Sequence, residues 1–398
     1  MNLWVLNHYA DTPDRQATRT FDLCRELAHR GHRTTIFASS FNHYTFREER
    51  LSGRTTWKSE EIDGVRVVWI KTHPYRKNDW HRVINMLSFA ARAASTAWRL
   101  PERPDVIIGV TVHPFTPVAA YAVARLKHSR FCCEVTDLWP ETLIQFGDLS
   151  PRSPVAWALR RLERFTFQRA ERIFALWRHA DRYFAGLGVP AAKVVWLPHG
   201  VPSTRFQGVP AYNGTSPDGF TIMYTGGLLR ANALDLVLEV ARELQSERAV
   251  RFVFVGDGSD RARLVEKAGA WRLGNVEFRG AVPKQQLAET MAEADAFILS
   301  LQDLPLYDYG ISLNKLCDYL AAGRPILFAG RSSYNPVEDA RAGFTVPPGD
   351  VQAMAAAIRA MMALSPQERA AMGRNARQYL REHHDIGVLA DRLEQSLA

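Results

Sequence analysis

Two short apolar runs, Ala296-Phe297-Ile298-Leu299-Ser300 and Pro325-Ile326-Leu327-Phe328-Ala329, bracket a helix-like segment from Gly310 to Gly323. No other feature of the chain constrains its fold as strongly. A strand, loop, helix, strand unit is a parallel crossover, so the two runs must lie side by side in one parallel sheet. The helix then begins at the carboxyl edge of that sheet, where unpaired N–H groups and the positive end of the helix dipole favour an anion. Ser312 and Asn314 are capping residue types, and Lys315 adds a full positive charge. This suits a diphosphate. Asp318, about one turn beyond Lys315, would reach hydroxyls next to it, such as those of a ribose. An ordinary capped helix with a solvated lysine and aspartate fits the same pattern.

A chain of 398 residues with 46% hydrophobic and 23% charged residues can bury large cores, and its length points to two domains. Cys24, Cys132, Cys133 and Cys317 lie in apolar surroundings without metal-ligand spacing, as reduced core thiols of a cytoplasmic protein would. The first residues read as a strand rather than an export signal, and no apolar run reaches the roughly 20 residues that span a bilayer. The net charge of +8 is unevenly placed. Residues 1–200 hold 29 Lys+Arg against 19 Asp+Glu, and the remainder 21 against 23. The basic half therefore meets an anionic surface or acceptor. With no finger spacing and no aromatic RNA-binding motif, a membrane is favoured over nucleic acid.

In chain order, Leu3–Leu6, a helix over Thr18–Arg30 and Thr34–Ala38 form another parallel crossover. The loop between, Asn7 to Gln16, lacks Gly-x-Gly-x-x-Gly, which argues against a nicotinamide site. Residues 62–71 read as a hairpin turning at Asp63-Gly64. The segment 80–100 interleaves Trp80, Ile84, Leu87, Phe89 and Trp98 with Arg82, Arg92 and Arg99. It suits a membrane interface, or else packs on its own domain. Asp105–Val110 is a buried strand ending near His113, which either faces a ligand or is structural. Asp137 closes another strand, where it holds an acceptor hydroxyl or caps a turn. Pro202 to Gly219 is rich in Pro, Gly and Ser and reads as a linker.

Several of these stretches resemble one family. Tyr309 through Pro325 is similar to the donor-binding segment of family 4 retaining glycosyltransferases, in a subgroup resembling the L-fucosamine and N-acetylhexosamine transferases of O-antigen and capsule assembly. Leu313 stands where that segment usually has Pro. Glu134-Val135-Thr136-Asp137-Leu138-Trp139-Pro140-Glu141 resembles a second run of the subgroup, with Thr136 for Arg, and Pro198-His199-Gly200-Val201 a third, with His199 for Asn. Departures are equally specific. The usual Arg and Lys of Gly-Arg-x4-Lys-Gly fall on Gly227 and Asn232, the first Glu of Glu-x7-Glu falls on Gly310, and the usual Gly-Gly pair near residue 10 is missing. Arg19 stands where many relatives place a basic residue, or is a solvated arginine.

The resemblance implies an α/β protein of the GT-B class, two Rossmann-like domains facing across a cleft. The expected divisions are an acceptor-binding domain over 1–201, a linker over 202–219, a nucleotide-sugar domain over 220–380 and a C-terminal helix over 381–398 crossing back. It implies a nucleotide-sugar donor, UDP-linked, bound by Gly226, Gly227, Gly256, Asp257, Gly258, Val282, Gly310, Ser312, Asn314 and Asp318. Arg230 and Lys315 would grip the diphosphate, and His113 and Asp137 would complete the catalytic set. No cofactor and no metal are expected, and front-face displacement is the implied route to retention. The implied acceptor is a polyprenyl-diphosphate-linked saccharide met at the inner face of the cell membrane through the basic first domain, with no nucleic acid bound. A sugar-nucleotide epimerase and a non-catalytic scaffold partner share the fold and stay open as alternatives.

Overall fold

The computed structural model describes residues 1–13, 19–43, 45–77, 79–216, 219–247 and 249–398. The expected helix start at Thr18 and loop residues 14–16 lie outside the described residues. The chain divides into two compact units, Met1–Pro198 with Leu389–Ala398, and His199–Val388. Residues 199–201 and the described part of the Pro-rich stretch therefore belong to the second unit.

The first unit is built on β1 (Asn2–Leu6), β2 (Arg33–Ser39), β3 (Trp57–Ile62), β4 (Val65–Ile70), β5 (Val106–Val110), β6 (Arg130–Val135), β7 (Arg172–Ala175) and β8 (Val194–Trp196). Their order across the sheet is β8-β7-β6-β5-β1-β2-β4-β3. All neighbours run parallel except β3 and β4, joined by Asp63 and Gly64 at φ +48° and +76°. Positive φ at both central residues is the mark of a turn whose twist matches the strands. The apolar runs of β1 and β5 are buried on both faces, as central parallel strands must be. Arg19 is neither solvated nor ligand-facing. It is 7% exposed, paired with Glu134, and donates to the carbonyls of Pro198 (2.8 Å) and Leu197 (2.9 Å). Residues of the final helix join this unit through Arg30, which reaches Asp391 and Glu394.

The second unit holds β9 (Phe220–Thr225), β10 (Val250–Val255), β11 (Val276–Arg279), β12 (Ala296–Ser300), β13 (Ile326–Ala329) and β14 (Gly343–Val346). The order is β11-β10-β9-β12-β13-β14, all parallel. The chain thus starts at the centre, builds outward to one edge, and returns to build toward the other. In such sheets ligands bind beyond the carboxyl ends of the strands where the order reverses, here beside β9 and β12. Alternation along β9 feeds two cores: Phe220, Ile222 and Tyr224 face one layer, while Met223 faces the layer that includes Leu316, Tyr319 and Leu320. Tyr319 stacks on Phe297 of β12 (4.4 Å), locking the Asn314–Ala322 helix onto the sheet. The four cysteines are buried and none is in a disulfide.

Candidate functional site

At the carboxyl ends of β9 and β10 two glycine loops press backbone against backbone. Gly256 lies at φ +144°, and a Cβ there would stand 2.0 Å from the Gly226 carbonyl oxygen. A Cβ on Gly258 would stand 2.4 Å from the Leu228 carbonyl oxygen. These glycines are needed so that the two loops approach each other, which fixes the floor on which a ligand would rest. Leu228 N–H donates to the Asp257 carbonyl (2.9 Å), and the exposed Asp257 carboxylate accepts from Gly258 N–H (2.8 Å).

Lys315 lies over this edge from the first turn of the Asn314–Ala322 helix. Its ammonium donates to the Tyr224 hydroxyl and to Asn232 Oδ1, both at 2.6 Å, and sits 4.6 Å from the centre of the Tyr224 ring. Asn232 is held in turn, donating to the Gly227 carbonyl at 2.8 Å. Both partners of Lys315 are neutral, and burial lowers its pKa from 10.5 to about 7. Tyr224 is pushed well above the usual range by the same burial and keeps its proton.

The helix start differs from its sequence expectation. Neither Ser312 nor Asn314 caps it: the helix opens at Asn314, Leu313 is the cap position, and no side chain bonds there. The first-turn N–H groups therefore lack a side-chain acceptor, which favours an anion. Ser312 instead accepts from His199 N–H (2.8 Å), while the His199 carbonyl accepts from His384 Nδ1 (2.8 Å) and Cys317 Sγ (3.2 Å). Asp318 is buried and faces Arg205 across 3.7 Å. Arg230 is exposed in the short turn Arg230–Asn232, next in sequence to the elements that hold Lys315. Val282, just past β11, is partly buried against the core. Gly310 adopts φ +107° and ψ 172°, a region open essentially to glycine alone. A side chain at this position would require another backbone.

In the first unit, His113 is fully enclosed. Its Nδ1 accepts from Phe115 N–H (3.3 Å), so in the neutral ring Nε2 carries the hydrogen, within reach of His8 Nδ1 (2.8 Å) and Thr116 Oγ1 (3.0 Å). Burial lowers it to about 3, so it stays neutral. His113 therefore holds other residues in place. The Asp137 residue is partly exposed but its carboxyl is enclosed, which pushes it up to about 7, opposed by the charge of Arg82. Close to it in sequence, Thr136 Oγ1, Trp139 Nε1 and Thr142 Oγ1 are buried hydrogen-bonding groups with no partner among the described residues. Such groups call for a ligand or water.

Tyr224 and Asn232 are the residues that sequence reading missed. Tyr224 carries a legible signal, a polar tip near the carboxyl end of an otherwise apolar buried strand. Asn232 was legible only as the place of an expected lysine, because its own role depends on Lys315 arriving from 83 residues away.

Residues 16–200 match the family model described as a glycosyl transferase 4-like domain, and residues 219–363 the one described as glycosyl transferases group 1. The chain is 22% identical to the probable glycosyltransferase WbjE of Pseudomonas aeruginosa over 291 residues, 70% of each chain. It is 27% identical over 204 residues to the putative colanic acid biosynthesis glycosyltransferase WcaL of Escherichia coli K12, across 50% of this chain and 49% of that one. Among solved structures it resembles sucrose-phosphate synthase from Thermosynechococcus elongatus, with TM-score 0.76, 15% identity and coverage of 99% and 97%. It also resembles Anabaena HepE in complex with UDP-glucose, with TM-score 0.68, 14% identity and coverage of 100% and 99%. At those identities the structural likeness is one of fold, the GT-B class with its two Rossmann-like domains. With one family match on each half of the chain, the protein belongs to the glycosyltransferases, a 4-like domain first and a group 1 domain second.

Proposed function

We propose that the protein is a retaining glycosyltransferase that moves a sugar from a UDP-linked donor to a lipid-linked saccharide during assembly of a bacterial surface polysaccharide. The observation that carries this reading is Lys315, a cation enclosed beside an uncapped helix start with only neutral side chains for partners. A nucleoside diphosphate supplies the charge that such a site lacks. The UDP-glucose complex of HepE supports uridine, and the name of WcaL supports a surface polysaccharide.

In this reading Lys315, Arg230 and the first-turn N–H groups stabilise the leaving diphosphate without a metal. The bond from the anomeric carbon to phosphate breaks as the acceptor oxygen attacks from the same face. The acceptor hydroxyl gives its proton to the departing phosphate. Asp318 and Val282 flank the nucleoside. In the first unit Asp137 and the unpartnered donors around it hold the acceptor.

The lipid anchor of that acceptor is met at the inner face of the membrane. Trp80 (63% exposed), Val83, Leu87 and Trp98 (56% exposed) share the outer side of the Trp80–Arg99 helix, and Arg92 and Arg99 flank them. This pattern fits an anionic membrane interface. Among the described residues no helix is long and apolar enough to cross a membrane.

Calorimetric titration with UDP, GDP and ADP, repeated on Lys315→Ala and Arg230→Ala, tests the donor site. UDP binding that weakens in both variants supports the reading and is followed by a screen of UDP-sugars with membrane-extracted acceptors. No binding of any nucleotide overturns it.

A further inference from the structure

Lys315 is unusual for a diphosphate-binding lysine because, among the described residues, its side-chain partners carry no negative charge. The side chains within its reach are the Tyr224 hydroxyl and Asn232 Oδ1, and both accept. Two acceptors occupy two N–H groups. A neutral amine satisfies them fully, whereas an ammonium has a third N–H left over in a buried setting.

The charged and titratable groups on the elements packed around it do not change this. Tyr224 of β9 stays protonated. Arg230, on the turn that carries Asn232, is exposed and of the same sign as an ammonium. Asp257, on the neighbouring glycine loop, is exposed and accepts from Gly258 N–H, so its charge is solvated rather than set against the lysine. Asp318, one turn along the same helix, faces Arg205. Gly226 lies beside the lysine stem, with room left by its missing side chain: a Cβ there would stand 3.3 Å from Lys315 Cε.

We propose that Tyr224 and Asn232 are positioning residues that hold the Lys315 amine between two neutral acceptors without a counter-ion, so that a bound diphosphate supplies the counter-ion and draws a proton onto the lysine as it binds. The proposal rests on the donor-site reading above. It gives Asn232, which stands where relatives carry a second cation, a function of its own. A lone lysine between two neutral acceptors is a sensor for the diphosphate. The amine that burial holds at about 7 in the free protein is restored to full charge when the ligand arrives.

The sign follows from linkage. Above pH 7 the free protein holds Lys315 neutral and the complex holds it charged, so binding takes up a proton and affinity falls as pH rises. The test is calorimetric titration of the full chain with UDP at pH 8, where the nucleotide is fully ionised, in two buffers of different ionisation enthalpy. Uptake of about 0.9 proton per UDP is expected, together with an affinity that falls toward about tenfold per pH unit above 7. Lys315→Arg keeps its charge and is expected to bind without uptake. Asn232→Asp supplies a permanent counter-ion, so it is expected to abolish uptake and weaken UDP binding, whereas Asn232→Gln keeps the acceptor and is expected to retain uptake. UDP binding with no proton uptake, or uptake that persists in Lys315→Arg, overturns the proposal while leaving the donor site standing. Absence of UDP binding overturns both.

Discussion

The Lys315 ammonium lies 2.6 Å from the side-chain oxygen of Asn232, the residue that stands where the family resemblance places a second cation. A neutral amide thus orients the one buried ammonium of this loop cluster. Stability should report this arrangement in the free protein. With its folded pKa lowered to about 7, Lys315 is neutral when folded and charged when unfolded between pH 7 and its ordinary value of 10.5. The unfolded state then binds more protons, so stability rises with pH through that window. Denaturant titrations at pH 7 and pH 9.5 should show a gain of about 2 kcal/mol or more, after subtraction of Lys315→Met. A flat difference between the two proteins would show that the amine is solvated.

The glycine loops make a steric prediction. Gly256→Ala would force a Cβ to within 2.0 Å of the Gly226 carbonyl at a φ of +144°. Backbone cannot yield as a side chain does, so a loss of about 3 kcal/mol or more is expected in chemical denaturation. Gly269, with open space around its Cβ position, is the control. Gly269→Ala should leave stability unchanged or slightly raised, being in a helix.

Arg19 tests the distinction between a ligand-facing and a structural arginine. Its guanidinium pairs with Glu134 and closes onto two carbonyls at the end of β8. Arg19→Ala leaves a buried carboxylate alone and should cost about 3–5 kcal/mol. Affinity for UDP, measured on the fraction that stays folded, should be unchanged.

Asp137 should behave oppositely to Lys315. Its folded pKa of about 7 lies above the unfolded value near 4, so the folded state binds more protons between pH 4 and pH 7, and stability falls as pH rises through that range. Asp137→Asn removes this cost and should stabilise the protein at pH 8 by about 1–3 kcal/mol but not at pH 4. If Asp137 holds the acceptor, the same variant loses transfer activity while UDP affinity stays. Gain of stability with loss of transfer separates a binding carboxyl from a turn cap.

The outer face of the Trp80–Arg99 helix should bind anionic vesicles. Trp80, Leu87 and Trp98 are 63%, 46% and 56% exposed, so replacing all three with Ala should keep the fold at a modest cost in stability while vesicle partitioning falls at least about tenfold. Co-sedimentation with vesicles containing anionic lipid measures this, and equal partitioning of the two proteins would place the membrane contact elsewhere.

The fold was legible from local pattern because it is repetitive. Apolar runs such as Val106–Val110 and Phe252–Val255, each tied to its neighbours by a crossover, can lie only in parallel sheets buried on both faces. Asp63-Gly64 announced its turn in the same way, because few residue pairs accept two positive φ angles. Lys315 was visible by its place at a helix start, and the glycines by their spacing. Tertiary structure decided what those residues do. It spent Ser312 on the His199 loop instead of a helix cap, shut His113 inside the first unit, and set Asp318 opposite Arg205. It also made Asn232 the partner of Lys315. Hydrophobic period and turn chemistry act over a few residues and can be read along the chain. The protonation of a buried amine depends on which atoms surround it in space, and for Lys315 those atoms lie 83 and 91 residues away.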